Sequence, residues 1–109
     1  GKGKGGRNQE LALAFAQEIA GTEGITLLSA GTDGTDGPTD AAGAVVDGET
    51  ATIAAKIEIH PEVYLERNDS YAFFAKLDRM IDDKHHIITG PTGTNVMDLQ
   101  VILVEGKAV

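Results

Sequence analysis

The chain has 109 residues, 41% of them hydrophobic, with 17 acidic against 9 basic side chains and a formal charge of −8. That length buries one small core and not two, and the acidic balance argues against general nucleic-acid binding, which needs clustered Lys and Arg to displace counterions. The sequence has no cysteine, which excludes disulfides and any thiolate nucleophile or zinc ligand. No apolar run approaches bilayer-spanning length, so neither nucleic acid nor membrane is an expected partner and a cytoplasmic setting is the expectation.

The chain opens without Met inside the glycine loop Gly1-Lys2-Gly3-Lys4-Gly5-Gly6, which reads as a cut piece with further sequence ahead of it. The loop runs into Asn8 to Ala20, rich in helix formers and stopped by Gly21. Leu11, Phe15 and Ile19 at i, i+4 and i+8, with Leu13 and Ala16 beside them, predict a helix that is largely buried. Ile25 to Ala30 is a short apolar run of the kind that forms a strand covered on both faces. Asp40 to Val46 is ambiguous: Pro38, Thr39 and Asp40 favour a short helix, while Gly43 and two valines weaken it, and a short helix is the expectation. Glu49 to Ile57 and His60 to Glu66 predict two more helices, the second with Pro61 in its first turn. Ser70 is the expected cap of a helix over Tyr71 to Leu77, and Asp78 to Lys84 reads as a solvated connection. His85 and His86 precede Ile87-Ile88; neighbours on a strand point to opposite faces and make a poor chelating pair, so an edge strand with one exposed imidazole is expected. His60 reads as a cap or surface group. The last strand is predicted near 98 to 104, and Glu105 to Val109 as an unstructured end. The fold class is α/β: at least three strands, near 25 to 30, 86 to 89 and 98 to 104, with packed helices.

Three polar, glycine-rich stretches carry the candidate chemistry. Ser29 to Thr39, with Gly31, Gly34, Gly37, Pro38, Asp33 and Asp36, follows the first strand directly and cannot be a regular element. In open α/β sheets ligands bind at that carboxyl edge. Asp33 and Asp36 are close enough to reach one guest and suit Mg²⁺, although Asp-Gly pairs are also ordinary turn formers. The opening loop and the start of the first helix offer backbone N–H groups and a positive helix end, and Lys2, Lys4 and Arg7 add charge beside them, so phosphate is the expected guest; a linker is the alternative. Gly90-Pro91-Thr92-Gly93-Thr94-Asn95 offers hydroxyls and N–H groups for a phosphate or a hydroxyacid carboxylate, or shapes a strand connection. Convergence of the three loops on one side of the sheet is the expectation. No Ser/His/Asp elbow is present.

Four stretches in order, Gly5-Gly6-Arg7-Asn8-Gln9-Glu10-Leu11-Ala12-Leu13, Gly31 to Thr39, Leu65 to Ser70 and Thr89 to Asp98, resemble the MOFRL domain, the carboxy-terminal domain of glycerate 2-kinases, also labelled hydroxypyruvate reductases. The resemblance covers nearly the whole chain, residues 1–109 as one domain. It implies ATP-dependent, Mg²⁺-assisted phosphorylation of D-glycerate to 2-phosphoglycerate in a cleft shared with a larger Rossmann-like amino-terminal domain, the expected partner; a homo-oligomer is a further possible assembly. On that reading Arg7 stabilises the transferring phosphoryl group. Lys4, Gly5, Gly6, Asn8, Asp33, Asp36, Thr92, Thr94 and Asn95 surround substrate or phosphate, and Asp33 and Asp36 hold metal or orient substrate hydroxyls. An NAD(P)H-dependent hydroxypyruvate reductase half-site and a non-catalytic anion-binding module are the alternatives. A reductase should show a complete dinucleotide-binding motif, and none is present.

Overall fold

The structure, a computed structural model, describes residues 3–93 and 97–106. Its elements are α1 (Arg7–Glu18), β1 (Ile25–Gly31), β2 (Gly43–Asp47), α2 (Thr50–Lys56), α3 (Pro61–Glu66), α4 (Ser70–Ile81), β3 (His86–Ile87) and β4 (Asp98–Val104). The strands form one sheet in the order β3-β2-β1-β4, and each neighbouring pair is antiparallel. The α/β class and the three predicted strands hold. The antiparallel sheet departs from the open sheet whose carboxyl edge located the site. The long loops still meet at one end, because β1 finishes at Gly31, opposite Asp98 at the start of β4, and Ala30 lies opposite Gly43 at the start of β2.

Helix α1 lies across β1 and β2. The stripe it buries is Asn8, Gln9, Ala12, Leu13, Ala16 and Ile19, whereas Leu11 is exposed and Phe15 half-buried. The face is thus rotated from the expected Leu11/Phe15/Ile19 line. Two alanines let the helix settle close to the sheet, and polar Asn8 and Gln9 are drawn inward by the hydrogen bonds described below. Leu13 joins Leu27 of β1, Val46 of β2, Ile59, and Phe73, Phe74 and Leu77 of α4 in one core. The Phe73 and Phe74 rings meet edge to face at 5.1 Å, the arrangement that aromatic quadrupoles favour. On the other face of β1, Thr26, Leu28 and Ala30 are only partly buried, so the strand is covered on one side and not on both.

The segment expected to be a short helix at 40 to 46 is the strand β2. Its two valines suit a pleated surface, and Gly43 lets the backbone pass β1 where a side chain would collide with the Ser29 carbonyl. That close approach is long-range, so local helix signals lose to it. Helix α4 starts at Ser70 with Asp69 as its N-cap, and Ser70 is buried. Ser70 Oγ packs where a Cβ on Gly5 would fall, which ties the serine to the opening loop instead of to a cap. Helix α4 also runs on to Ile81, through half of the expected solvated connection. It places the Asp78 carboxylate 2.7 Å from His85 Nδ1 and 2.8 and 3.0 Å from the N–H groups of His85 and His86. Neither histidine is the exposed imidazole expected. His60 is the N-cap residue of α3, with its ring 3.0 Å from the Glu58 carboxylate.

The His86 ring lies against Tyr71 at 4.8 Å and Phe74 at 5.5 Å. Burial holds its pKa below the ordinary imidazole value, against the upward pull of Asp78 and Asp40. A histidine depressed in this way adds stability above its unfolded pKa, and that stability is lost as pH falls. The melting temperature should therefore drop between pH values of about 7.5 and 5.5. His86→Gln, which keeps a donor toward α1, should lack that part of the drop; an undiminished drop in the variant would assign it to another group.

Candidate functional site

Asp36 sits at the centre of the loop cluster, 3% exposed. Its Oδ1 accepts from the backbone N–H of Asn8 at 3.0 Å and from Asn8 Nδ2 at 3.3 Å. Its Oδ2 accepts from the Gln9 N–H at 2.7 Å and from Gln9 Nε2 at 3.1 Å. A carboxylate from a distant loop thus caps the start of α1, satisfying first-turn donors and complementing the positive helix end. Two expectations change as a result. The first-turn N–H groups of Asn8 and Gln9 are spent on Asp36, so they do not cradle a phosphate. Asp36 is equally spent, and so is not a metal ligand.

Asp33 points elsewhere. Its oxygens accept from the backbone N–H of Thr35 at 3.2 Å and from the Thr35 hydroxyl at 3.1 Å, the self-bonded turn that was the alternative to metal. The two aspartates do not share a guest. Among the described residues no three His, Asp or Glu side chains stand together to hold a metal ion, and Asp33 and Asp36, each engaged with its own donors, do not form the shared magnesium site expected of them.

Asn8 and Gln9 carry the network outward. Asn8 Nδ2 donates to Asp98 Oδ1 at 2.9 Å, and Asn8 Oδ1 accepts from Ser29 Oγ at 2.8 Å and from Gln100 Nε2 at 3.1 Å. Gln9 Nε2 reaches Thr39 Oγ1 at 3.1 Å, and Gln9 Oε1 lies 2.9 Å from His86 Nε2. The first turn of α1 therefore binds to β1, β3, β4 and the central loop together.

Arg7, the first helical residue, is paired side-on with Asp98: Nε bonds Oδ2, and Nη2 lies 3.1 Å from Oδ1. The hydrogen bond from Arg7, followed by that from Asn8, holds the Asp98 carboxyl below its ordinary pKa, and the same pair raises that of Arg7, with smaller contributions from Asp36 and Asp33. The Arg7 side chain is 70% exposed. Side-on pairing uses two of the five guanidinium N–H donors, which leaves the edge formed by Nη1 and Nη2 for another acceptor.

The three loops come together as expected. Gly37, at φ +66°, lies so close to the opening loop that a Cβ on it would stand 3.0 Å from Gly6 Cα. Thr92 N donates to the Asp33 carbonyl at 3.1 Å and Thr92 Oγ1 to the Thr32 carbonyl at 2.6 Å. Lys4 is held through its backbone, with N donating to Asp69 Oδ1 at 2.9 Å and the carbonyl accepting from Tyr71 N at 2.9 Å. Lys4, Thr35, Gly37, Thr39, Asp40 and Tyr71 line an open groove of about 500 Å³. In it the Tyr71 hydroxyl donates to Asp40 Oδ1 at 2.8 Å, and that bond, with burial, raises the phenol pKa. Thr94 and Asn95, like Lys2, lie outside the described residues. Sequence reasoning missed Asp98 as a partner because it stands 91 positions from Arg7. It also missed Gln9, Ser29 and Gln100, whose only signal was polarity at positions that pattern as core.

Helices packed on one face of an antiparallel sheet, with three polar loops gathered round an arginine–aspartate pair at its end, define a small α/β domain whose candidate site lies in loops. The MOFRL family model matches residues 1–98, and the chain belongs to the MOFRL family. It is 54% identical to the D-glycerate 2-kinase of Thermotoga maritima over 95% of its own length and 24% of that protein's. It is 49% identical to the glycerate kinase of Danio rerio, covering 95% of this chain and 21% of that one. The crystal structure of glycerate kinase from Thermotoga maritima superposes with a TM-score of 0.88 at 53% identity, over 96% of this chain and 24% of the other. The chain thus spans about a quarter of the length of these relatives.

Asp36→Asn tests the centre of the cluster. The amide would face one first-turn N–H with a donor, leaving that N–H buried and unpaired, at a cost of about 2–3 kcal/mol. The melting temperature should fall on the order of 10 °C, with lost protection of the Asn8 and Gln9 amides in hydrogen exchange. A variant as stable as the wild type would remove Asp36 from its capping role.

Proposed function

We propose that this domain serves a glycerate 2-kinase, as the carboxy-terminal part of a longer enzyme that phosphorylates D-glycerate to 2-phosphoglycerate with ATP, in a cleft facing a larger amino-terminal domain. The observation that carries the reading is the Arg7 guanidinium, held side-on by Asp98 with its outer edge exposed beside three converging polar loops. The likeness to glycerate kinases across nearly the whole chain supports it.

In this reading ATP supplies the phosphoryl group, and this chain supplies position and charge. Phosphoryl transfer spreads negative charge over equatorial oxygens, and a planar fork meets two of them at once. Asp98 fixes the fork before substrate arrives, so little reorganisation is needed at the moment of reaction. The Lys4 ammonium, the backbone at Gly5 and Gly6, and the Thr92 segment surround the same end of the sheet. Asn8 acts through its side chain, holding Asp98 against β1, and Asp36 acts through α1. Asp33 shapes its turn. Magnesium, if the reaction uses it, takes ligands other than the Asp36 carboxylate.

Residues 1–109 alone should show no turnover of glycerate with ATP, because the partner wall of the cleft is missing; measurable turnover would contradict the two-domain reading. In the complete enzyme Arg7→Lys should lower turnover roughly a hundredfold or more while glycerate affinity changes little, since lysine keeps the charge and loses the fork. If Arg7 only ties α1 to β4, melting temperature falls and turnover per folded molecule stays normal, an outcome that would remove Arg7 from the reaction. Hydroxypyruvate with NADH, assayed on the same preparation, should give no reduction.

A further inference from the structure

The sequence of β4 and its position disagree. Residues 99 to 104 read Leu-Gln-Val-Ile-Leu-Val, apolar on both faces but for Gln100, the composition of a strand covered on both sides. Among the described residues β4 lies at the edge of the sheet, paired with β1 alone. Leu99, Val101 and Leu103 lie opposite Ala30, Leu28 and Thr26 and so point to the face away from α1. Ile102 and Val104 point to the helix side, beyond the cover of α1. All five are between 48% and 69% exposed.

Edge strands of folded proteins are usually blunted by charge, proline, a bulge or shortness. Among residues 99–104 there is no charge and no proline. The strand pairs with β1 over seven consecutive positions without a bulge. A continuous apolar surface with an unpaired strand edge is an interaction site.

We propose that the edge of β4, with the sheet face carrying Leu99, Val101 and Leu103, is the surface against which the remainder of the longer kinase polypeptide docks. The inference rests on the reading that the domain works within such a protein, and it names the surface. Two observations favour that occupant. The relatives that match 95% of this chain carry about three quarters of their length beyond the match, enough to cover a face and continue a sheet. A second copy fits less well: β4 paired antiparallel with its own twin would set two bare faces side by side and enlarge the apolar surface instead of covering it. Docking here would also leave the loop cluster at the start of β4 beside the interface, where Arg7 and Asp98 could face a shared cleft.

Hydrogen exchange tests the proposal. The probe is a chimera in which this chain replaces the matching segment of the Thermotoga maritima kinase, compared with the 109-residue chain alone. Amides of 99 to 103 should exchange at least tenfold more slowly in the chimera. Val101→Lys with Leu103→Lys should leave the melting temperature of the lone chain within about 2 °C and lower that of the chimera by about 5 °C or more. If the chimera does not fold, the lone chain is mixed with the separately purified remaining portion of the same kinase, and protection of β4 on mixing is the expected result. Equal exchange with and without the remaining portion overturns the proposal. So does concentration-dependent protection of β4 in the lone chain that matches the chimera, which would make a second copy the occupant. Glycerate phosphorylation by the same chimera separates the two readings: an active chimera with unprotected β4 sinks the interface alone, and a protected but inactive one sinks the kinase reading alone.

Discussion

The arrangement depends first on the buried carboxylate of Asp36. An ionised group taken out of water is tolerable only when its lone pairs are met by donors, and here four N–H groups, two from the backbone and two from side chains, all come from Asn8 and Gln9. The same bonds relieve the start of α1, whose first-turn donors have no partner within the helix. One interaction settles a buried charge and a helix end together. It fixes the distance between the opening loop and the central loop, and the close approach of Gly37 to Gly6 follows from it.

From that point the network branches according to chemistry. Asn8 leans toward β1 and β4, where Ser29, Gln100 and Asp98 accept or supply its remaining bonds. Gln9 leans the other way, to Thr39 and to His86, whose pKa burial lowers. Neighbouring helix positions diverge by about 100°, so two adjacent amides can serve opposite sides of a sheet in a way that one residue could not. Every buried side-chain polar atom among the described residues finds a partner, as a fully satisfied and therefore rigid polar centre requires.

Charge around this centre is unevenly committed. Asp36 faces inward to N–H groups, Asp33 to its own turn, and Asp98 to Arg7, which leaves the guanidinium as the group with donors directed outward. An acidic chain thus presents a local cation where its loops meet. The sum of charges describes solubility and long-range steering; the pairing geometry describes the site.

Much of this was legible in the sequence. The helices near 8–20, 49–57 and 60–66, the strands near 25–30 and 98–104, and the three loops as a group follow from periodicity and from glycine and proline chemistry, which act over a few residues. The four motifs also identified the family. What only the tertiary structure decided are the events that join distant positions. Residues 43–47 became a strand because they pair with β1 and pass too close to Ser29 for a side chain. Asp36 became a cap for α1, although an aspartate in a Gly-Thr-Asp loop looks the same whether it meets a metal, a turn or a helix end 28 residues away. Arg7 met Asp98 across 91 residues, and β4, patterned for an interior, came to the edge. Local propensity fixes what a segment can be, but the partner of a buried charge or a strand edge is chosen by three-dimensional proximity, which no window of sequence contains.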